Sequence, residues 1–277
     1  MLELLHRALL AFASGFSELI FASPAAHQLL YRTLTGYQTT DSLLSLGIHL
    51  GCFLAVLVCS QNRIKQLRSE KKLDKRAKHR RGRKPDQAAL MDIRILNAAS
   101  VTIFLEFLAY RRITGYNFGL FQVALFLAVN GVVLFLPRLF SQGNKNGHTF
   151  TQFDGVLMGL SGFLGMIPGF SRFGCMYSAG IVRGAGKNYA LDLSIMLSIP
   201  ALGALASFDA YDCFVRGVNL TGLQLLGILL AALMAYVGAF IAIALMRFIC
   251  NRATAIGFAY YSCGLSVFML LIYLFVA

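Results

Sequence analysis

Among the stretches without Lys, Arg, Asp or Glu, five stand out: residues 42–60, 118–137, 193–208, 220–246 and 253–277. A helix needs about 20 apolar residues to cross the hydrocarbon core of a bilayer. Four of these runs suffice alone, and 193–208 reaches that length with a few flanking residues. Residues 95–110, bounded by charged flanks, complete a set of six crossings. The pattern predicts an all-α, polytopic membrane protein.

Composition supports this. Of 277 residues, 57% are hydrophobic and 13% charged, with a mean hydropathy of +0.67. Soluble domains carry about 25% charged residues, so this chain lacks the polar surface of a globule in water. It is also too apolar for disorder. The net charge of +13 is concentrated, because residues 63–94 hold 13 of the 25 Lys and Arg. A basic loop between apolar runs marks the cytoplasmic side and suits contact with anionic lipid head groups. No nucleic-acid motif or aromatic interleaving accompanies the charge, which argues against nucleic acid as a partner. Placing the basic loop, residues 61–94, inside orients all six crossings. Arg138, Lys145, Arg183, Lys187, Arg247 and Arg252 then fall on the same side, and Asp209 and Asp212 fall outside. The six cysteines form no CxxC and no Cys/His cluster, so they read as small apolar side chains. The N-terminus lacks the basic n-region of a cleaved signal peptide.

Two segments do not read as simple spans. Residues 11–30 contain Gly15, Glu18, Pro24 and His27, and residues 155–183 contain a series of glycines, Pro168 and Arg172. Such runs predict broken or re-entrant helices, tolerated at membrane depth when buried in protein or lining a cavity. The segments also resemble each other. Gly15-Phe16-Ser17 pairs with Gly159-Leu160-Ser161 and, at the same offset, Pro24 pairs with Pro168. Three crossings separate them, so the second copy is expected inverted. A single integral membrane domain, 1–277, then divides into a first repeat, 1–137, and an inverted second repeat, 151–277. Binding sites in such folds lie where the repeats meet.

Ionisable groups inside lipid are functional candidates by default. Glu18 and His27 flank Pro24. Pro168-Gly169-Phe170-Ser171-Arg172 offers a helix start with free N–H groups, a close backbone approach at Gly169, a hydroxyl at Ser171 and a planar fork at Arg172. Together they describe a phosphate cradle facing an acid and a histidine. Three readings stay open on these residues alone: phosphate chemistry, a substrate or ion path, and structural pairing of Arg172 with Glu18. Glu106 is expected to pair with Arg111 or Arg112 near the surface, the alternative being a cavity-facing carboxylate. Asp154 and Asp192 are expected at the interface.

The constellation resembles the bacitracin-resistance undecaprenyl-diphosphate phosphatases (UppP, also called BacA). That family carries Glu-x-x-x-Glu-Phe-Leu-Pro-x-Ser-Ser-x-x-His and a later Pro-Gly-x-Ser-Arg-Ser-x-x-Thr. Here the first motif runs from Ser14 through Glu18, Ser23 and Pro24 to His27, and the second from Pro168 through Ser171 and Arg172 to Met176. The segment from Gly47 through His49 and Gly51 to Val56, and Phe258 to Tyr261, are similar to two further family spans. Ser14 replaces the first glutamate, Pro24 the second serine, and Phe173 and Met176 the later Ser and Thr, so the chain reads as a divergent member.

The resemblance implies a membrane hydrolase that converts undecaprenyl diphosphate to undecaprenyl phosphate and phosphate. That reaction recycles the lipid carrier for peptidoglycan synthesis and gives bacitracin resistance. It implies Glu18, His27 and Arg172 as catalytic residues and Ser23, Gly169, Ser171 and Arg172 as phosphate-binding residues. A divalent cation, Mg²⁺ or Ca²⁺, is implied near Glu18. One carboxylate plus substrate phosphates satisfies Mg²⁺. The expected location is the bacterial plasma membrane with the site towards its outer face, since the first hairpin lies opposite the basic loop. Expected partners are the membrane and the polyprenyl diphosphate, with a second copy of the chain as a candidate. The rival readings are a polyprenyl-phosphate transporter or flippase and a catalytically degenerate lipid-phosphate-binding homologue.

Overall fold

The structure is a computed structural model that describes residues 2–37, 42–77, 83–113, 116–140, 143–217, 221–252 and 256–276. The described residues form ten α-helices and no strand. The helices are α1 (Leu2–Glu18), α2 (Pro24–Thr35), α3 (Ser42–Ala77), α4 (Gln87–Ile113) and α5 (Leu120–Leu139), then α6 (Gln152–Gly162), α7 (Arg172–Val182), α8 (Lys187–Val215), α9 (Gly222–Arg252) and α10 (Gly257–Val276). A 3₁₀ turn, Phe163–Met166, extends α6. Among the described residues, α3, α5, α8, α9 and α10 are long and apolar enough to cross a membrane. The sixth expected crossing lies in α4. Glu106, Arg111 and Arg112 fall among residues 104–113 of that helix, whose side chains lie outside the described set.

The long helices pack through small residues. Ala231, Ala235, Ala239 and Ala242 form a buried stripe along α9, against which α1 and α3 lie. A Cβ on Gly15 would stand 2.3 Å from the carbonyl oxygen of Ala235, and one on Gly51 2.2 Å from that of Ala232. Without a hydrophobic force between helices in lipid, such close backbone approach is what holds them. The outward faces of α9 and α10 are the reverse: Leu226, Leu229, Leu233, Phe268, Leu271 and Leu274 are exposed. That surface is matched to hydrocarbon.

Packing partners correspond between the two halves. α1 packs on α9 as α6 packs on α4, α3 packs on α9 as α8 packs on α4, and α3–α8 and α5–α10 pair across the halves.

Residues 61–77 and 87–94 of the basic stretch are helical rather than loop. α3 has 36 residues, about 54 Å at 1.5 Å per residue, whereas the bilayer core needs about 20 residues. Its charged second half continues the helix, and α4 begins at Gln87. This extension is tied back to the bundle. Arg63 pairs with the buried Asp92, which also accepts the Tyr189 hydroxyl at 2.6 Å. Glu70, buried, accepts the Asp86 N–H at 2.9 Å and faces Arg83 at 3.6 Å.

Candidate active site

α1 stops at Glu18 and the chain restarts at Pro24. Ser23 has extended backbone, φ −91° and ψ 115°, and its Oγ accepts the Ala26 N–H at 3.3 Å, with Pro24 in the first turn. This is N-capping by serine with proline where its missing N–H costs nothing.

The second break is longer. After the 3₁₀ turn, α7 restarts with Ser171 as cap, its Oγ accepting the Gly174 N–H at 3.1 Å, and Arg172 as first residue. Pro168 therefore does not open a helix. It lies in the connecting turn, and the residue that corresponds to Ser23 as a cap is Ser171. The added 3₁₀ turn displaces the helix start relative to Pro168, which is why matching the two prolines misplaces it. Gly169 makes the reversal possible. Its φ is +112°, and a Cβ there would stand 2.7 Å from Phe126 Cβ and 2.8 Å from the Val123 carbonyl oxygen.

The two breaks interlock. The Gly169 N–H donates to Ser23 Oγ at 3.1 Å, and Ser171 Oγ donates to the Ile20 carbonyl at 3.2 Å. Asn130 of α5 fixes their depth, since its Oδ1 accepts the Ser171 N–H at 2.9 Å and its Nδ2 donates to Ser262 Oγ at 3.1 Å. Asn130 is fully buried near the middle of the 20-residue α5, about 15 Å from either end. The breaks meet at mid-depth of the bundle.

At this junction Arg172 Nη1 lies 3.5 Å from Glu18 Oε1, their side chains 10% and 13% exposed. The pair neutralises charge but does not exhaust the guanidinium: Nε and Nη1 are buried without a hydrogen-bond partner. Buried donors are almost always satisfied, so a guanidinium left this way marks a place for an anionic oxygen. His27 is oriented from both sides. Its Nδ1 lies 2.6 Å from the Ser23 carbonyl oxygen and its Nε2 2.6 Å from the Tyr261 hydroxyl. A carbonyl only accepts, so Nδ1 carries the proton and the Nε2 lone pair accepts from Tyr261.

Of the sequence candidates, Glu18, Ser23, Gly169, Ser171 and Arg172 are joined through the interlocked breaks, and His27 is attached through Ser23. Phe173 and Met176, both 1% exposed, are core side chains, and Phe173 packs on Phe21 at 5.5 Å between ring centroids. Ser14, where the related motif has glutamate, is buried and its Oγ accepts from Gln28 Nε2 at 2.9 Å. Among the described residues no three His, Cys, Asp or Glu side chains gather to hold a metal. The break itself offers the Glu18 carboxylate, whose Oε1 is the oxygen that Arg172 approaches.

Several partners escaped the sequence reading. Asn130 was signalled by an amide in the middle of an uncharged apolar run, and Tyr261 by a ring with a polar tip in the last span. Asp209, whose partner was not foreseen, is buried and 2.6 Å from His49 Nδ1. Asp154, expected at the interface, is fully buried at the foot of the α6–α7 hairpin. It accepts from Arg183 Nε at 2.6 Å, Lys145 Nζ at 3.3 Å and the Thr151 N–H at 3.1 Å. Burial works against its charge, but the hydrogen bonds from Thr151, Arg183 and Lys145 prevail and hold its carboxyl below the usual range.

Comparison with known proteins follows the same residues. The family model of bacitracin resistance protein BacA matches residues 7–268. The chain is similar to the undecaprenyl-diphosphatase of Carboxydothermus hydrogenoformans, 24% identical over 265 residues that cover 95% of each chain. It is 26% identical to that of Campylobacter fetus subsp. fetus over 283 aligned positions, covering 98% of this chain and 100% of the relative. With that of Pelobacter propionicus it shares 27% over 256 residues, 92% of each. A match across nearly the whole length, including both interlocked breaks, means that the chain belongs to the bacitracin resistance protein BacA family.

Proposed function

We infer that the chain hydrolyses undecaprenyl diphosphate to undecaprenyl phosphate and inorganic phosphate, as the names of its relatives indicate for them. The observation that carries this reading is Arg172, buried at mid-depth beside Glu18, whose Nε and Nη1 make no hydrogen bond among the described residues. The terminal phosphoryl group of the lipid occupies those donors. Arg172 then stabilises charge on its oxygens, which is the main demand of phosphoryl transfer. Water supplies the new P–O bond. Its proton passes to the Tyr261 oxygen as that hydroxyl hands its own proton to the one lone pair of His27 Nε2, which it already faces at 2.6 Å. The P–O–P bridge breaks, and lipid monophosphate and inorganic phosphate leave.

A divalent cation fits only as a partner of the substrate: Glu18 would hold it, with phosphate oxygens and water supplying the other ligands. When bound it supplies charge neutralisation at the phosphates. The loop Pro168-Gly169-Phe170 packs against the Val123 end of α5, away from Arg138. With the basic end in the cytoplasm, this supports a site open towards the outer face of a bacterial plasma membrane.

The test is release of inorganic phosphate from undecaprenyl diphosphate by purified protein with Mg²⁺. Arg172→Ala and Glu18→Ala are expected to abolish it. Wild-type protein that releases none, yet moves polyprenyl phosphate between leaflets of vesicles, overturns the hydrolase reading.

A further inference from the structure

A cavity of about 150 Å³ opens at the other end of the α6–α7 hairpin from Arg172. Its lining includes Arg138 at the end of α5, Lys187 at the start of α8, Phe140, Ser178 of α7, Tyr177 and Phe21. Four features set its chemistry. Arg138 and Lys187 have no carboxylate partner among the described residues, unlike Arg63, Lys145, Arg183 and Arg247 at the same end. Ser178 is 2% exposed, and its Oγ is buried without a hydrogen-bond partner. α8 begins at Lys187 with no side-chain cap on its first N–H groups, so its positive dipole end is unneutralised. The floor is apolar and aromatic: Phe21 packs on Tyr177 at 4.7 Å and on Phe173 and Phe258 at 5.5 Å.

We propose that this cavity is a separate binding site for a phosphate group, held by Arg138, Lys187 and Ser178 Oγ. Two cations without a carboxylate partner among the described residues, and a buried hydroxyl, match the charge and the acceptor oxygens of a phosphate. Basic pockets between transmembrane helices at the cytoplasmic end take anionic lipid heads, and the apolar floor suits the first carbons of a chain. The phosphate comes either from such a head or from free inorganic phosphate. The site shares no charged residue with Glu18 and Arg172, so it stands whether or not the chain is a hydrolase.

The chain contains no tryptophan, so Phe140→Trp, at an exposed position on the cavity rim, installs a unique fluorescent reporter. That protein is titrated in neutral detergent with dodecyl phosphate, with inorganic phosphate and with dodecanol. A saturable change with dodecyl phosphate, weakened at least tenfold by Arg138→Gln or Lys187→Gln and several-fold by Ser178→Ala, is the expected result. Dodecyl phosphate binding far tighter than inorganic phosphate identifies a lipid head, and equal binding identifies the free ion. Both support the site. Adding Glu18→Ala is expected to leave the response intact, and Arg138→Gln is expected to leave phosphate release intact. A response equal with dodecanol, or unchanged by Arg138→Gln and Lys187→Gln, overturns the proposal.

Discussion

The hydroxyl of Tyr261 stands 2.6 Å from Nε2 of His27, joining the last helix to the first break. Their rings also stack, 5.9 Å between centroids with an interplanar angle of 11°. Tyr261→Phe keeps the stacked ring and removes the hydroxyl, so it separates orientation from packing. With the proposed role of Nε2 as proton acceptor, kcat for phosphate release is expected to fall about tenfold, equivalent to about 1.4 kcal/mol, with little change in KM. A raised KM at unchanged kcat instead places Tyr261 in substrate binding.

Asn130 sets the depth of the second break by accepting the Ser171 N–H. Asn130→Leu is similar in size but leaves that N–H buried and unpaired, a cost of about 1–3 kcal/mol. The expected outcome is a lower unfolding temperature in detergent together with slower phosphate release, because Arg172 follows Ser171 directly. Unchanged turnover in a destabilised variant shows that the break does not depend on this bond for its position.

Ser14 takes the place of a glutamate in the related motif, but here it is a buried acceptor for Gln28. Ser14→Ala removes one neutral hydrogen bond, about 1 kcal/mol of stability, and phosphate release is expected to stay within twofold of wild type. A loss of tenfold or more assigns Ser14 a part in the chemistry.

These residues also show what the linear sequence carries. The long spans were legible because about 20 consecutive apolar residues have one physical use in a bilayer. Glu18, His27 and Arg172 stood out because ionisable groups in such surroundings are costly. The partners that hold them were not legible. Asn130 reaches Ser171, Tyr261 reaches His27, and Asp209 reaches His49 across distances in sequence that only packing closes. The helical extension of α3 was hidden for a different reason. A charged run reads as a solvated loop until burial of Asp92 and Glu70 shows where its cations and backbone are tied.

Asp154 clamps the foot of the hairpin whose tip carries Arg172, through Arg183 and Lys145. Both cations are more than a third exposed, so solvent screens them and the loss in Asp154→Asn is expected at about 2 kcal/mol rather than the 3–5 kcal/mol of a fully buried pair. The folded carboxyl lies below its usual range, so its contribution is complete above the ordinary carboxylate pKa. It is lost as pH falls through the lowered folded value. Unfolding temperatures of wild type and Asp154→Asn are therefore expected to differ at pH 7 and to converge once the pH lies below that lowered folded value. A constant gap across that range assigns the effect to shape rather than charge.

Glu18 is the carboxylate that the break offers a cation, and Arg172 approaches its Oε1. A cation held by one protein carboxylate and the substrate's own oxygens binds weakly before the lipid arrives, since the phosphates supply most of the ligands. Chelation is expected to stop phosphate release reversibly, with Mg²⁺ restoring it. The Mg²⁺ concentration for half activity is expected to fall as the lipid diphosphate is raised. Glu18→Gln keeps an oxygen for Arg172 but removes the charge, and is expected to raise that concentration about tenfold or more, with a loss of at least 1.4 kcal/mol in cation affinity. Phosphate release that persists undiminished in chelator assigns the whole task of charge stabilisation to Arg172.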